Sequence, residues 1–152
     1  METSNGRTVG PNDPNAFIIT FKPGEYIFDH INVANDVFIF IDCDGSKGEY
    51  VRLVVRNKAS FGARLAIQNV NNDFMTFMVY SDYESNGDDD NAIFFEAGRN
   101  QFINDKFNYG VLVAPRGKVH FANGENFWSG AIWAKSLSLS NGVAFIGRGD
   151  FA

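Results

Sequence analysis

The densest set of metal-capable oxygens lies in Asp82-Tyr-Glu84-Ser-Asn86-Gly87-Asp88-Asp89-Asp90-Asn91. Its opening follows the D-x-[DN]-x-[DN]-G start of a calcium loop, with Glu84 at the third position. Asp82, Glu84, Asn86 and Asp88 are therefore candidate calcium ligands, hard oxygen donors spaced two residues apart. The twelfth position is Ile93, where an EF-hand needs a bidentate Glu, and no helical pattern flanks the loop. An EF-hand is excluded, so calcium would need another oxygen-rich geometry. The competing reading is a solvated acidic loop.

Catalytic chemistry finds less support. His30 and His120 lie far apart, and no local signature supplies the third group that orients a catalytic base. Asp42, Asp44 and Glu49 gather near a turn, while Glu96 and Glu125 are isolated, so nothing brings two carboxylates together for glycosidic cleavage. Cys43 is the single cysteine and cannot form an internal disulfide. Its neighbours Asp42 and Asp44 oppose thiolate formation, which makes it a strand-end or turn thiol. Gly147-Arg148-Gly149-Asp150-Phe151-Ala152 fits G-x-G-x-x-A, but no helix follows to bind a dinucleotide. It also contains Arg-Gly-Asp, a tripeptide that arises easily by chance in a chain rich in Gly and Asp. The expectation is a protein that is not an enzyme.

These residues must be positioned by sheet. The chain has 152 residues, long enough to bury one core without disulfides or metals. Sixteen Phe, five Tyr and two Trp would make that core aromatic, and fifteen Gly supply turns. No stretch is rich in strong helix formers. A net charge of −5 argues against nucleic acid, since phosphate binding needs clustered Lys and Arg. Arg52, Arg56, Lys58 and Arg64 are the densest basic group, and they alternate with apolar residues as a solvated strand face does. No apolar run approaches the roughly 20 residues of a membrane span, and the polar start lacks a signal-peptide core.

Residues 1–15 read as a flexible N-terminal arm and 16–152 as one domain. Strands are expected near 17–21, 25–28, 37–41, 50–56, 64–67, 74–80, 92–95, 110–113, 118–121, 131–133 and 136–140. A single helical turn is expected within 99–106. Between the strands stand turn clusters such as Lys22-Pro23-Gly24, Asp44-Gly45 and Asn141-Gly142.

The C-terminal third repeats itself. Phe107-Asn-Tyr-Gly110-Val-Leu-Val-Ala114 matches Phe127-Trp-Ser-Gly130-Ala-Ile-Trp-Ala134. After a two-residue slip, Lys118-Val-His-Phe-Ala-Asn123-Gly124 matches Ser136-Leu-Ser-Leu-Ser-Asn141-Gly142. A period of about 18–20 residues is one turn of a solenoid. The fold expected is therefore all-β, a single-stranded parallel β-solenoid or β-helix with coils of about 18–20 residues. Gly110, Leu112 and Ala114, like Gly130, Ile132 and Ala134, would point inward. Val119 with Phe121, and Leu137 with Leu139, form a second inward pair. Asn123 and Asn141 would stack at a corner bent by Gly124 and Gly142.

The same run, Gly110-Val-Leu-Val-Ala114-Pro115 through Gly130-Ala-Ile-Trp-Ala134-Lys135-Ser136-Leu137, resembles a repeat of bacterial surface proteins. It is similar to the uncharacterised C-terminal domain attached to PilX-like, pilin-type N-termini. Lys22-Pro23-Gly24-x-Tyr26, Val37–Ile41 and Val51–Val55 look like earlier coils, so the resemblance spans about 21–147. It implies a β-solenoid at the cell surface in a family without an established catalytic motif. Trp133 departs from the pattern, which has a small or aliphatic residue there, and loop 82–90 looks inserted.

The remaining signal is aromatic. Val111, Val113, Ala131 and Trp133 occupy the slots opposite the inward ones, so one sheet is apolar on both faces. A covering segment would account for that, as would an exposed strip suited to stacking on sugar rings. Trp133, Trp128 and Tyr109 are the expected ligand-binding residues. The function expected is an extracellular or cell-surface binding module that attaches to polysaccharide. The alternatives are a structural subunit of a surface filament or pilus-associated adhesin, through end-to-end self-association at uncapped coil ends, and a polysaccharide-cleaving enzyme.

Overall fold

A computed structural model describes residues 17–35, 37–63, 66–69, 74–96, 108–122, 126–140 and 143–147. Among them are twelve strands and two short 3-10 turns. The strands are β1 (Phe17–Phe21), β2 (Gly24–Phe28), β3 (Ile31–Val33), β4 (Val37–Ile41), β5 (Val51–Val55) and β6 (Ala59–Phe61). They continue with β7 (Ala66–Asn69), β8 (Phe77–Ser81), β9 (Asn91–Phe95), β10 (Asn108–Phe121), β11 (Asn126–Leu139) and β12 (Val143–Gly147). Each described pairing is parallel.

Strands recur in threes and stack on their counterparts, which gives an all-β, solenoid-like architecture. β1, β4 and β7 form one ladder. The ladders β2-β5-β8 and β3-β6-β9 converge on β10, whose two halves carry them both. β11 lies on β10 along nearly its whole length, and β12 pairs with the first five residues of β11. The register of β10 on β11 shifts between Ala114 and Lys118, beside Pro115, which lacks a backbone N–H to donate.

Alternation explains which side chains point inward. Along β5, Val51, Leu53 and Val55 are buried while Arg52 and Val54 are half-buried. Stacking then sorts the inward residues into columns. One runs Leu53, Val79, Leu112, Ile132. Another runs Ile31, Ala59, Ile93, Val119, Leu137, and a third Val33, Phe61, Phe95, Phe121, Leu139. In that third column Phe95 stacks on Phe61 at 4.7 Å and 9°, and on Phe121 at 4.9 Å and 6°. Those separations match the spacing between neighbouring strands, so backbone pairing and ring stacking reinforce each other.

Glycine makes room where aromatics fill. A Cβ at Gly110 would lie 2.9 Å from Phe77 and 3.1 Å from Trp128. At Gly130, where φ is +148°, a Cβ would lie 2.0 Å from the Gly110 carbonyl oxygen. No side chain can be accommodated there.

Several expectations need correction. The twenty-residue spacing holds for Asn108 on Trp128 and for Phe17 on Val37, and an eighteen-residue spacing for Lys118 on Ser136. Gly24 faces Val51 and Ala59 faces Ile93, much longer excursions, because turns and loops such as Gly45–Lys47 and 82–90 are let out at the corners. The paired segments 110–113 and 118–121 are one bent strand, as are 131–133 and 136–139. Phe74–Thr76 is a 3-10 turn rather than the start of a strand. β3 and β6 are three-residue strands too short to show a period. Leu137 and Leu139 point along the inward columns but remain 46% and 45% exposed, because no described strand covers that part of β11. The arm, the 99–106 turn, Asn123, Gly124, Asn141 and Gly142 lie outside the described residues.

Candidate functional site

Registers place the outward residues of the second ladder in a row. Ile27 faces Val54, Val54 faces Tyr80, Tyr80 faces Val113, and Val113 faces Trp133. Five successive strands thus present an apolar or aromatic side chain at the same outward slot. The row beside it begins with the ion pair of Glu25 and Arg52 (3.1 Å) and turns apolar through Met78, Val111 and Ala131. The far ends of the two rows, with Met75 and Ile132, line a groove of about 380 Å³ between Met78, Val111, Val113, Ala131 and Trp133. Trp133 is 70% exposed at its rim, Ile27 is 62% and Met75 is 56%. This face is open at Trp133.

The other two expected aromatics stand elsewhere. Trp128 is fully buried between the coils, tilted against Phe95 (5.2 Å) and Phe121 (5.9 Å), with its indole N–H donating to the Gly110 carbonyl at 3.2 Å. It shares the inward phase of Gly130 and Ile132, so period-two alternation alone already assigns it to the core. Tyr109 is 9% exposed and offers little surface to a ligand. Trp133 remains. Met75, Met78 and Val111 line the groove with it, and strand register carries the same outward row on to Tyr80 and Ile27.

The acidic loop is occupied by cations of the protein itself. Asp82 and Glu84 both meet Arg116, at 3.2 Å and 3.6 Å. Asp90 meets Lys58 at 2.6 Å and accepts from the Tyr83 hydroxyl and the Asn86 backbone N–H at 2.8 Å each. Lys58 Nζ also lies over the Tyr83 ring. The hydrogen bond from Lys58, then that from Asn86, hold the Asp90 carboxyl down at about 2. Lys118 closes the clip, donating from its backbone N–H to Ser85 Oγ at 2.9 Å and from Nζ to the Asp88 carbonyl. Among the described residues no three His, Cys, Asp or Glu side chains are grouped so that they could hold a metal ion. Arg116, Lys58 and Lys118, from neighbouring strands, thus pair with the loop's carboxylates and backbone.

The remaining reactive residues have structural partners. Cys43 is buried, its thiol 3.7 Å from the Thr76 carbonyl. Compared with family models, curated proteins and solved structures, the chain matches none. His120 sits half-buried, edge-on to Phe94 at 5.4 Å and 3.3 Å from Ser140 Oγ. Burial, and then the charge of Lys118, push its pKa below the ordinary imidazole value. His30 is exposed beside Asp29 at 3.8 Å. Asp42 pairs with Lys22, while Asp44 caps the 3-10 turn through Ser46, which lowers its pKa. Glu49 accepts from the Asp44 backbone N–H at 2.8 Å. The Arg-Gly-Asp segment lies outside the described residues. No helix among the described residues is long and apolar enough to cross a membrane.

A smaller pocket of about 180 Å³ opens on the third face, lined by Lys58, Ser60, Asp89, Asn91 and Phe94. Asn91 Oδ1 is buried there without a hydrogen-bond partner. The two faces differ in kind, one an apolar groove, the other polar with a single ring.

Proposed function

We propose that the chain is a non-catalytic binding module built as a single-stranded parallel β-solenoid, working outside the cell or at its surface. Its ligand is an extended polysaccharide, held by stacking on Trp133 beside the apolar groove. The observation that carries this reading is the 70% exposure of Trp133 at the rim of an apolar groove. Sugar rings bury apolar C–H faces against such platforms, and a row rising about 4.8 Å per strand suits a repetitive ligand. Several carboxylates already have partners: Asp82, Glu84, Asp90 and Glu25 pair with cations, and Asp44 caps a turn. The reading agrees with the resemblance to domains of PilX-like surface proteins. Retention of the intact protein on insoluble polysaccharide tests it, and Trp133→Ala should lose that retention with its fold unchanged. Equal retention of the two proteins would reject Trp133 as the platform.

A filament subunit is the second reading, and the exposure of Leu137 and Leu139 at the last coil favours a role for that end. Stacking of whole copies meets an obstacle. β12 already fills the beginning of the next level, and Gly147 occupies the edge of Gly130.

A further inference from the structure

The outward row of the β3-β6-β9 ladder differs from the apolar row that ends at Trp133. Register sets Asn32 beside Ser60, Ser60 beside Phe94, Phe94 beside His120 and His120 beside Ser138. One phenyl ring thus stands among side chains that hydrogen-bond. The pocket of about 180 Å³ opens in this row, between Lys58, Ser60, Asp89, Asn91 and Phe94. It lies at the corner where the chain passes from the second ladder to the third. The connections turning that corner, 29–30, 56–58, 82–90 and 115–117, all belong to the described residues, so the chain beside the pocket is placed throughout.

The loop clip fixes one wall of this pocket. Asp90, held by Lys58 at 2.6 Å and by the Tyr83 hydroxyl and the Asn86 N–H at 2.8 Å each, sets its neighbour Asp89 into the lining. Arg116 and Lys58 are taken by Asp82, Glu84 and Asp90, and among the described residues no cation pairs with Asp89. Asn91 brings a buried Oδ1 that has no hydrogen-bond partner among the described residues. A buried acceptor without a donor is costly, and a hydroxyl bound in the pocket can supply the missing donor. We infer that this pocket binds one neutral, hydroxylated ring, a single sugar residue stacked on Phe94 with its hydroxyls on Asp89, Asn91 and Lys58. Lys58 repels a cation and Asp89 an anion, whereas a hydroxyl donates to the carboxylate and accepts from the ammonium. The apolar C–H face of the sugar lies on Phe94, which His120 holds edge-on at 5.4 Å. The space is smaller than the roughly 300–1,000 Å³ of drug-sized sites, so it takes one ring rather than a length of chain. The site extends sugar binding to a second face and rests on none of the residues around Trp133.

The test uses the full chain carrying Trp133→Ala, so that only the second face is read. The probes are the methyl glycosides of glucose, galactose, mannose and N-acetylglucosamine, followed by saturation-transfer NMR, which detects millimolar binding. At least one should bind saturably and shift the imidazole signals of His120, which touches Phe94. Asp89→Ala and Phe94→Leu, each added to that protein, should weaken binding by about fivefold or more, as loss of one hydrogen bond or one ring face does. Asp89 is exposed, so its variant keeps the fold and decides the matter if Phe94→Leu alters the circular dichroism. Absence of saturable binding by every glycoside overturns the proposal, as does equal binding by Asp89→Ala. Binding of ethanolamine in place of the glycosides also overturns it, because the acceptors would then serve a cation. Retention of the parent protein on insoluble polysaccharide is measured separately, so this site and the Trp133 reading can each fail alone.

Discussion

The two ends of the stack are built from the same columns and treated differently. At the N-terminal end, Ile31 and Val33 are each 1% exposed, edge strand β2 carries Glu25 after Pro23, and Asp29 and His30 stand in the turn to β3. At the C-terminal end, Gly130-Ala-Ile-Trp-Ala-Lys-Ser-Leu-Ser-Leu139 bears one charge along ten residues, and both column leucines face water. Charged residues, proline and short strands are how proteins discourage strand addition. The first end has them only in part, since β1 is uncharged and leaves Phe17 40% and Ile18 47% exposed.

The sharpest way to break this comparison is to place one lesion at two depths of one column. Phe95→Ala removes the middle ring of the Phe61–Phe95–Phe121 stack and should cost about 3–5 kcal/mol in chemical denaturation. Leu139→Ala, in the same column, should cost under about 1 kcal/mol because its side chain is already half solvated. Comparable losses would mean that the tail is packed as tightly as the middle. Gly130→Ala tests the other side of β11. Its Cβ would meet the Gly110 carbonyl in a left-handed backbone conformation, so a loss of about 2–4 kcal/mol is expected, with the pairing of β10 and β11 loosened first in hydrogen exchange.

A smaller effect separates the clipped middle from both ends. The folded pKa of Asp90, about 2, lies below the unfolded 3.8. Its contribution is thus complete above pH 4 and lost as pH falls through 2. Acid titration of wild type and Asp90→Asn should show the wild-type advantage shrinking over that window, with amides of 82–90 exchanging early. The smallest effect on stability belongs to Trp133→Ala, expected within about 0.5 kcal/mol of wild type, since the ring is mostly in water. The same substitution should remove the red-shifted part of the emission and leave that of buried Trp128.

The sequence disclosed what repeats and concealed what register alone creates. Gly110 with Gly130, and Leu112 with Ile132, were legible because the same small-large-small pattern recurs in adjacent coils. Earlier coils carry loops of unequal length, so no fixed period ties Ile27 to Val54 and Tyr80. That row could be seen only once the strands were paired. Trp128 was misassigned by its aromatic character although its phase with Gly130 marked it as inward. The loop at 82–90 looked like a ligand for a cation because its bases, Lys58, Arg116 and Lys118, come from other coils. Charge partners distant in sequence leave no local trace.

The loop clip also bears on how the molecule would behave under force. Lys58 precedes β6, the loop leaves β8, and Arg116 and Lys118 belong to β10, so the clip fastens three successive levels. Stacked coils otherwise touch only their neighbours and peel one at a time. Pulled from its C-terminal end, the chain should unwind β12 and β11 at low tension and then stall at β10. Beyond that point several ion pairs and a backbone ladder must give way together, so the clip acts as a mechanical stop. The open end can then yield while the middle coils hold their shape.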